Sequence, residues 1–175
     1  WYLDRDEGRV VYWPLEGEDM ETALVVAPTV ETILDLQGKQ GSPIRNLGLQ
    51  ALTLSTTTTP CKAGGFGASN YRGALQIGSC EGVLVTDIEV TNTAGHGIRE
   101  WGTRDFVVRN CRLHHLGAGG LRAGGGNATI EGNQIHHVGL VYPSAVALMA
   151  GGGAGQYIIR RNEIHDTPYS GMANG

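Results

Sequence analysis

The stretch FVVRNCRLHHLGAGGLRAGG (residues 106–125) decides how the chain is read. Taken alone it holds the ingredients of a site: two adjacent histidines, arginines and a run of glycines. Beside three other stretches it becomes one copy of a repeat. These are VLVTDIEVTNTAGHGIREWG (83–102), ATIEGNQIHHVG with AVALMAGG (128–139 and 145–152), and YIIRRNEIHDTPYSGMANG (157–175). Aligned, they give four columns: Val85, Val108, Ile130, Ile159; Ile88, Cys111, Asn133, Asn162; Val90, Leu113, Ile135, Ile164; and Ile98, Leu121, Leu148, Met172. An earlier copy lies in IRNLGLQALTLS (44–55), where Leu52 and Leu54 take the second and third columns, and Leu75 heads the fourth. A period of roughly 23 to 27 residues is that of a solenoid coil.

Short strands alternating in and out cannot bury a face alone, but stacked coils can. The expected fold is therefore all-β: a right-handed parallel β-helix of about five coils, its hand taken from the general rule for parallel crossovers. Asn133 and Asn162 are expected to stack at a tight turn and hydrogen-bond along the ladder. A helical reading fails on the dense β-branched residues and on the glycines that punctuate each unit. The glycines form no phosphate loop, because no Gly-Lys-Ser/Thr follows them.

Residues 1–44 lack the repeat. WYLDRDEGRVVYWP reads as a hairpin turning at Asp6 to Gly8, and ETALVVAPTVETILDLQG as further strands, together a small β element packed on the solenoid. The coils then occupy 45–175, with a polar, glycine-rich loop at about 56–72. The chain opens without methionine and stops soon after a strand-like beginning, so it reads as part of a longer protein.

A net charge of −4 gives no long-range pull toward nucleic acid, and no apolar run spans a membrane. Three scattered cysteines form neither a disulfide framework nor a zinc motif. The oligomeric state is left open.

The stretches WYLD, VVYWP, VVAP, IRNLGLQALTLS, LQIGSCEG (75–82) and RNEIHDTPYSGM together resemble the glycoside-hydrolase-like branch of right-handed parallel β-helix proteins, similar to β-xylosidases, xylanases and α-L-fucosidases. The resemblance implies a polysaccharide or oligosaccharide bound along one face and an acid/base pair of carboxylates. It also implies further coils beyond Gly175 and a secreted or periplasmic parent protein.

The leading functional expectation is glycoside hydrolysis by carboxylate general acid/base catalysis; the alternatives are a uronate lyase and a non-catalytic glycan-binding or structural solenoid. One position after the fourth column stand Arg99 and Arg122, vertical neighbours that repel unless they share an anion. Arginine suits bidentate carboxylate binding. Glu100 falls inward by strict alternation and, with Asp166, is the candidate catalytic carboxylate. Hydrolysis needs carboxyls about 5–5.5 or 6.5–9.5 Å apart, and these two stand about three coils apart in the alignment. Trp101 is a candidate sugar platform; His115, His137, Tyr142 and Tyr169 are candidate substrate contacts. A lyase would take its base from such His or Tyr residues beside an Arg-neutralised carboxylate. The pairs His114-His115, His136-His137 and His165-Asp166 follow the third column, in a turn that suits self-bonding residues. His115, His137 and Asp166, two histidines and a carboxylate, could ligate a metal, but ligands must converge on an ion about 2 Å away, which parallel stacking does not guarantee, so no metal and no other cofactor is expected.

Overall fold

The structure is a computed structural model describing residues 2–175. β1 (Tyr2–Asp4) and β2 (Arg9–Val11) form an antiparallel hairpin in the register Tyr2↔Val11. Gly8 takes the left-handed conformation that closes its turn. Trp1, read as the start of this hairpin, lies outside the described residues. The strands expected through ETALVVAP do not form: Leu24, Val25 and Val26 are irregular and 90%, 73% and 59% exposed. Pro28 interrupts the segment and lacks an N–H for a ladder.

The solenoid takes its first strand from β3 (Leu34–Gln37), so its sheet reaches back into the segment read as the N-terminal element. β4 (Ile44–Gln50) and β5 (Thr53–Thr57) complete the first coil. Residues 58–72 leave the coil as a loop with one short 3₁₀ turn, Phe66–Ala68. The second coil is β6 (Gly73–Gly78), β7 (Cys80–Thr86) and β8 (Glu89–Thr93). The third is β9 (His96–Trp101), β10 (Arg104–Arg109) and β11 (Arg112–Leu116). The fourth is β12 (Leu121–Ala123), β13 (Ala128–Glu131) and β14 (Gln134–His136). The fifth is β15 (Leu148–Ala150), β16 (Tyr157–Arg160) and β17 (Glu163–His165), after which β18 (Met172–Asn174) starts another turn.

Three parallel sheets result: β4-β7-β10-β13-β16, β5-β8-β11-β14-β17 and β3-β6-β9-β12-β15-β18. The expected columns are the observed registers. Val85 pairs with Val108, Val108 with Ile130, and Ile130 with Ile159. Leu54, Val90, Leu113, Ile135 and Ile164 align in the second sheet, and Leu75, Ile98, Leu121, Leu148 and Met172 in the third. Between Leu75 and Leu148 the third-sheet column is fully buried, each such side chain contributing about 1.5–3 kcal/mol of burial.

Polar groups follow the same stacking. Asn133 Oδ1 accepts the Cys111 N–H at 2.9 Å, and Asn162 Oδ1 accepts the Asn133 N–H at 3.0 Å. Asn133 Nδ2 and Asn162 Nδ2 each donate to a carbonyl one coil back, Val108 O at 3.1 Å and Ile130 O at 2.9 Å. After the third column comes a run of left-handed residues: Asn92, His115, His137 and Asp166, at φ 54°, 53°, 51° and 50°. Asn, Asp and His enter that conformation more readily than most side chains, which accounts for the recurring residue types at this turn.

Candidate functional site

The outer face of the third sheet carries Asp35, Gln76, Arg99, Arg122, Met149 and Ala173 in one register. Strand alternation sends these side chains away from the Leu75–Leu148 core column. Arg99 donates from Nη1 to Tyr71 O at 2.9 Å, and its guanidinium sits 5.6 Å from the Trp101 ring centre. Arg122 points Nη1 at Met149 Sδ, 3.2 Å away, a weak acceptor. Both side chains are half-buried. Burial, and then the neighbouring Arg122 charge, push the Arg99 pKa down.

Elsewhere on the solenoid, arginines are matched to carboxylates. Arg45 and Arg104 share Glu81 at 3.3 and 3.1 Å; Arg109, Arg160 and Arg161 share Glu131 at 3.4, 3.0 and 3.7 Å. Arg112 pairs with Glu89, and Arg72 with Asp35 at 2.5 Å. Among the described residues of the solenoid, Arg99 and Arg122 alone of the arginines have no carboxylate within 4.0 Å. A surface hollow of about 570 Å³ lies away from them beside Lys39, Arg45, Glu81 and Arg104. Its two arginines are already engaged by Glu81, so size does not mark the open charge. A smaller hollow of about 230 Å³ adjoins Arg122, floored by Met149, Ala150 and Ala173. Ala173, Gly151 and Gly152 leave that room.

Glu100 follows Arg99 and turns inward. It is 2% exposed, and its carboxylate accepts the N–H groups of Thr103 at 2.7 Å, Gly124 at 3.0 Å and Gly125 at 3.0 Å. Burial pushes its pKa up while these amides pull it back. A Cβ at Gly125 would lie 2.3 Å from Glu100 Oε1 and 2.3 Å from Thr103 O, so glycine is needed where the coil passes over the carboxylate. Asp166, the other candidate catalytic carboxylate, is exposed after β17, two coils further along and in another sheet. A hydrogen bond from His165 holds its pKa below the usual range. One carboxylate is inside and the other outside, so the structure does not bring the pair together across a substrate.

The remaining candidates divide. Trp101 lies over Gly78 of the preceding coil, where an added Cβ would meet its ring at 2.7–2.8 Å, and the Arg99 guanidinium lies over its ring. It belongs to the arginine face. Tyr142 stacks on Tyr71 with ring centres 3.6 Å apart and hydrogen-bonds Thr59 at 2.8 Å. It joins the 58–72 loop to the insertion before β15. His115 and His137 belong to the turn column, and Tyr169 stands 52% exposed after it.

His96 escaped the sequence reading. It is 3% exposed, with Nε2 2.9 Å from Ala68 O and Nδ1 accepting the Gly119 N–H at 3.1 Å. This network assigns the neutral ring with Nε2 as donor. Burial depresses its pKa to about 4. It pins the 58–72 loop beside Arg99, whose acceptor Tyr71 O lies in that loop. The signal in the sequence was weak: a lone histidine two positions before the fourth column.

A family model described as a right handed beta helix region matches residues 68–174. No curated protein and no solved structure matches the chain.

Proposed function

The chain belongs to the right-handed β-helix family, and on that premise we propose that it binds an acidic, uronate-containing polysaccharide along the outer face of the third sheet. Arg99 and Arg122 receive the carboxylates, and Trp101 provides an apolar edge beside them. The observation that carries this is the in-register pair of arginines without a protein carboxylate. The two strands are one strand spacing apart, about 4.8 Å, and after burial the Arg122 charge pushes the Arg99 pKa down, the direction expected of mutual repulsion. A ligand carboxylate converts that repulsion into attraction, and arginine offers it a bidentate fork.

Binding is supported over hydrolysis because Glu100 is sequestered and Asp166 stands apart from it. It is supported over lysis because the ring groups beside the arginines are engaged. His96 is buried and bonded through both nitrogens, and the Tyr71 hydroxyl donates to Lys62 O. A polymeric glycan ligand would be met outside the cytoplasm, which supports reading the parent protein as secreted or periplasmic.

The test is affinity electrophoresis through gels containing polygalacturonate or neutral xylan, together with assays for reducing ends and unsaturated uronate. The reading expects retardation by the acidic polymer alone, lost in the Arg99→Gln/Arg122→Gln variant, and no product in either assay. Equal retardation by neutral xylan would sink it.

A further inference from the structure

A short piece of the 58–72 loop carries the carbonyl that receives Arg99, and His96 holds that piece at both ends. The His96 backbone N–H donates to Arg72 O at 2.9 Å, and its Nε2 donates to Ala68 O at 2.9 Å. Tyr71 O, the acceptor of Arg99 Nη1, lies between these two anchors. Further fastenings lie to the side. Arg72 bonds Thr32 at 3.0 Å and Asp35 at 2.5 Å, and the Tyr71 ring stacks on Tyr142. Ala68 itself sits at φ 52°. A left-handed backbone is costly for a residue with a Cβ, and the imidazole bond to Ala68 O offsets that cost.

The latch works in one protonation state. Ala68 O can only accept and the Gly119 N–H can only donate, so the ring is neutral with its proton on Nε2. Its surroundings favour that form. Strand β6, the 58–72 loop, and residues 117–120 and 139–147 contain no Asp or Glu. Glu100, on the same strand as His96, is turned inward and taken up by the amides of Thr103, Gly124 and Gly125. The loop's own charged residues, Lys62 and Arg72, are cations. Burial, with the Arg99 and Arg122 charges, holds the His96 pKa to about 4. The latch is therefore closed at neutral pH.

We propose that His96 is a positioning residue for the anion site: its ring latches the 58–72 loop, the Tyr71 carbonyl of that loop orients Arg99, and the oriented guanidinium presents its remaining N–H groups to the ligand. A long side chain ordered in advance loses less rotamer freedom when the ligand arrives. Arg122, which leans only on Met149 Sδ, has no such support. The inference takes its ligand from the acidic-glycan reading, while the latch itself is testable without any ligand.

Two variants of the full chain separate the two sides of the ring. His96→Gln carries an amide N–H to the place of Nε2 and keeps the bond to Ala68 O. His96→Asn places an oxygen near Nδ1, keeps the Gly119 N–H, and lets go of the loop. Both remove the imidazole from the same buried place, so a role in stability alone moves both alike; circular dichroism checks that both fold. Proton–nitrogen NMR without ligand follows the Arg99 guanidinium, identified by the signals lost in Arg99→Gln. Slow solvent exchange is expected in the parent and in His96→Gln, and exchange at least about threefold faster in His96→Asn, the scale of one hydrogen bond. Calorimetry with a uronate oligosaccharide is expected to show binding weakened about three- to tenfold in His96→Asn and largely recovered in His96→Gln. The salt dependence stays the same in both, because no charge at the site changes. Arg99 exchange alike in parent and His96→Asn would overturn the latch, whatever the ligand. Faster exchange with unchanged affinity, or equal losses in the two variants, would overturn the positioning role. The expected exchange pattern in a parent that binds no uronate would keep the latch and remove the glycan reading alone.

Discussion

Two kinds of arginine ladder run along this solenoid. On the first and second sheets arginine and glutamate alternate between storeys: Arg45, Glu81 and Arg104 in one column, Glu89 and Arg112 in another. On the third sheet Arg99 sits directly over Arg122, and the positions above and below are Gln76 and Met149. The parallel register is the same in both places. What differs is whether the repeat supplies a carboxylate at the next storey. A solenoid stacks like on like, so a cation column must either be interrupted by acids or take its anion from outside. Here the nearest acid in sequence, Glu100, is turned inward and held by three amides.

That contrast can be broken from several sides. The largest effect is expected from Glu100→Ala, which leaves the buried N–H groups of Thr103 and Gly125 without an acceptor and Gly124 with only the Glu100 carbonyl at 3.2 Å. At about 1–3 kcal/mol for each of the two orphaned groups, destabilisation of about 2–6 kcal/mol is expected, read from denaturant unfolding. A variant as stable as the parent would show that Glu100 does not anchor the turn.

His96 carries the next effect. Its folded pKa of about 4 lies below the unfolded value of about 6.5. The unfolded chain therefore binds the proton first as pH falls. The neutral-histidine contribution is fully present above pH 6.5 and is lost as pH falls toward 4, up to about 3 kcal/mol at about 1.4 kcal/mol per unit. Stability measured from pH 7.5 to 4 is expected to fall more steeply in the parent than in His96→Gln. Parallel curves would remove His96 as the cause.

Arg122→Gln removes one charge-assisted contact and is expected to weaken acidic-glycan affinity by about 2 kcal/mol, roughly thirtyfold. Arg122→Lys should recover part of that, because charge returns without the planar fork. Titrations that rank Lys no better than Gln would mean charge is not what the ligand reads. The smallest effect is expected for Glu81→Gln on the saturated ladder: under about 1 kcal/mol in stability, as for exposed ion pairs, and unchanged glycan affinity.

Much of this was legible in the residues. The aliphatic columns and Asn133 over Asn162 were readable because stacking repeats residue type at fixed intervals. Strict alternation placed Glu100 inward and Arg99 outward. The rest depended on contacts that do not repeat. The 58–72 loop folds back through Tyr71 on Tyr142 and Ala68 on His96, pairings between insertions that share no column. Residues 24–26 carry aliphatic side chains but meet no partner strand. The histidine pairs announced a turn; the facing of their Nδ1 atoms is set by a left-handed backbone at the second residue, which sequence spacing does not reveal.

The central claim is that the Arg99–Arg122 column takes its anion from a glycan. The direct measurement is calorimetric binding of a uronate oligosaccharide and of the same oligosaccharide with its carboxyls reduced to alcohols. The account predicts binding of the first that weakens with added salt and with Arg99→Gln/Arg122→Gln, and no measurable binding of the second. Equal affinity for the two sugars, or affinity indifferent to both arginines, would contradict it.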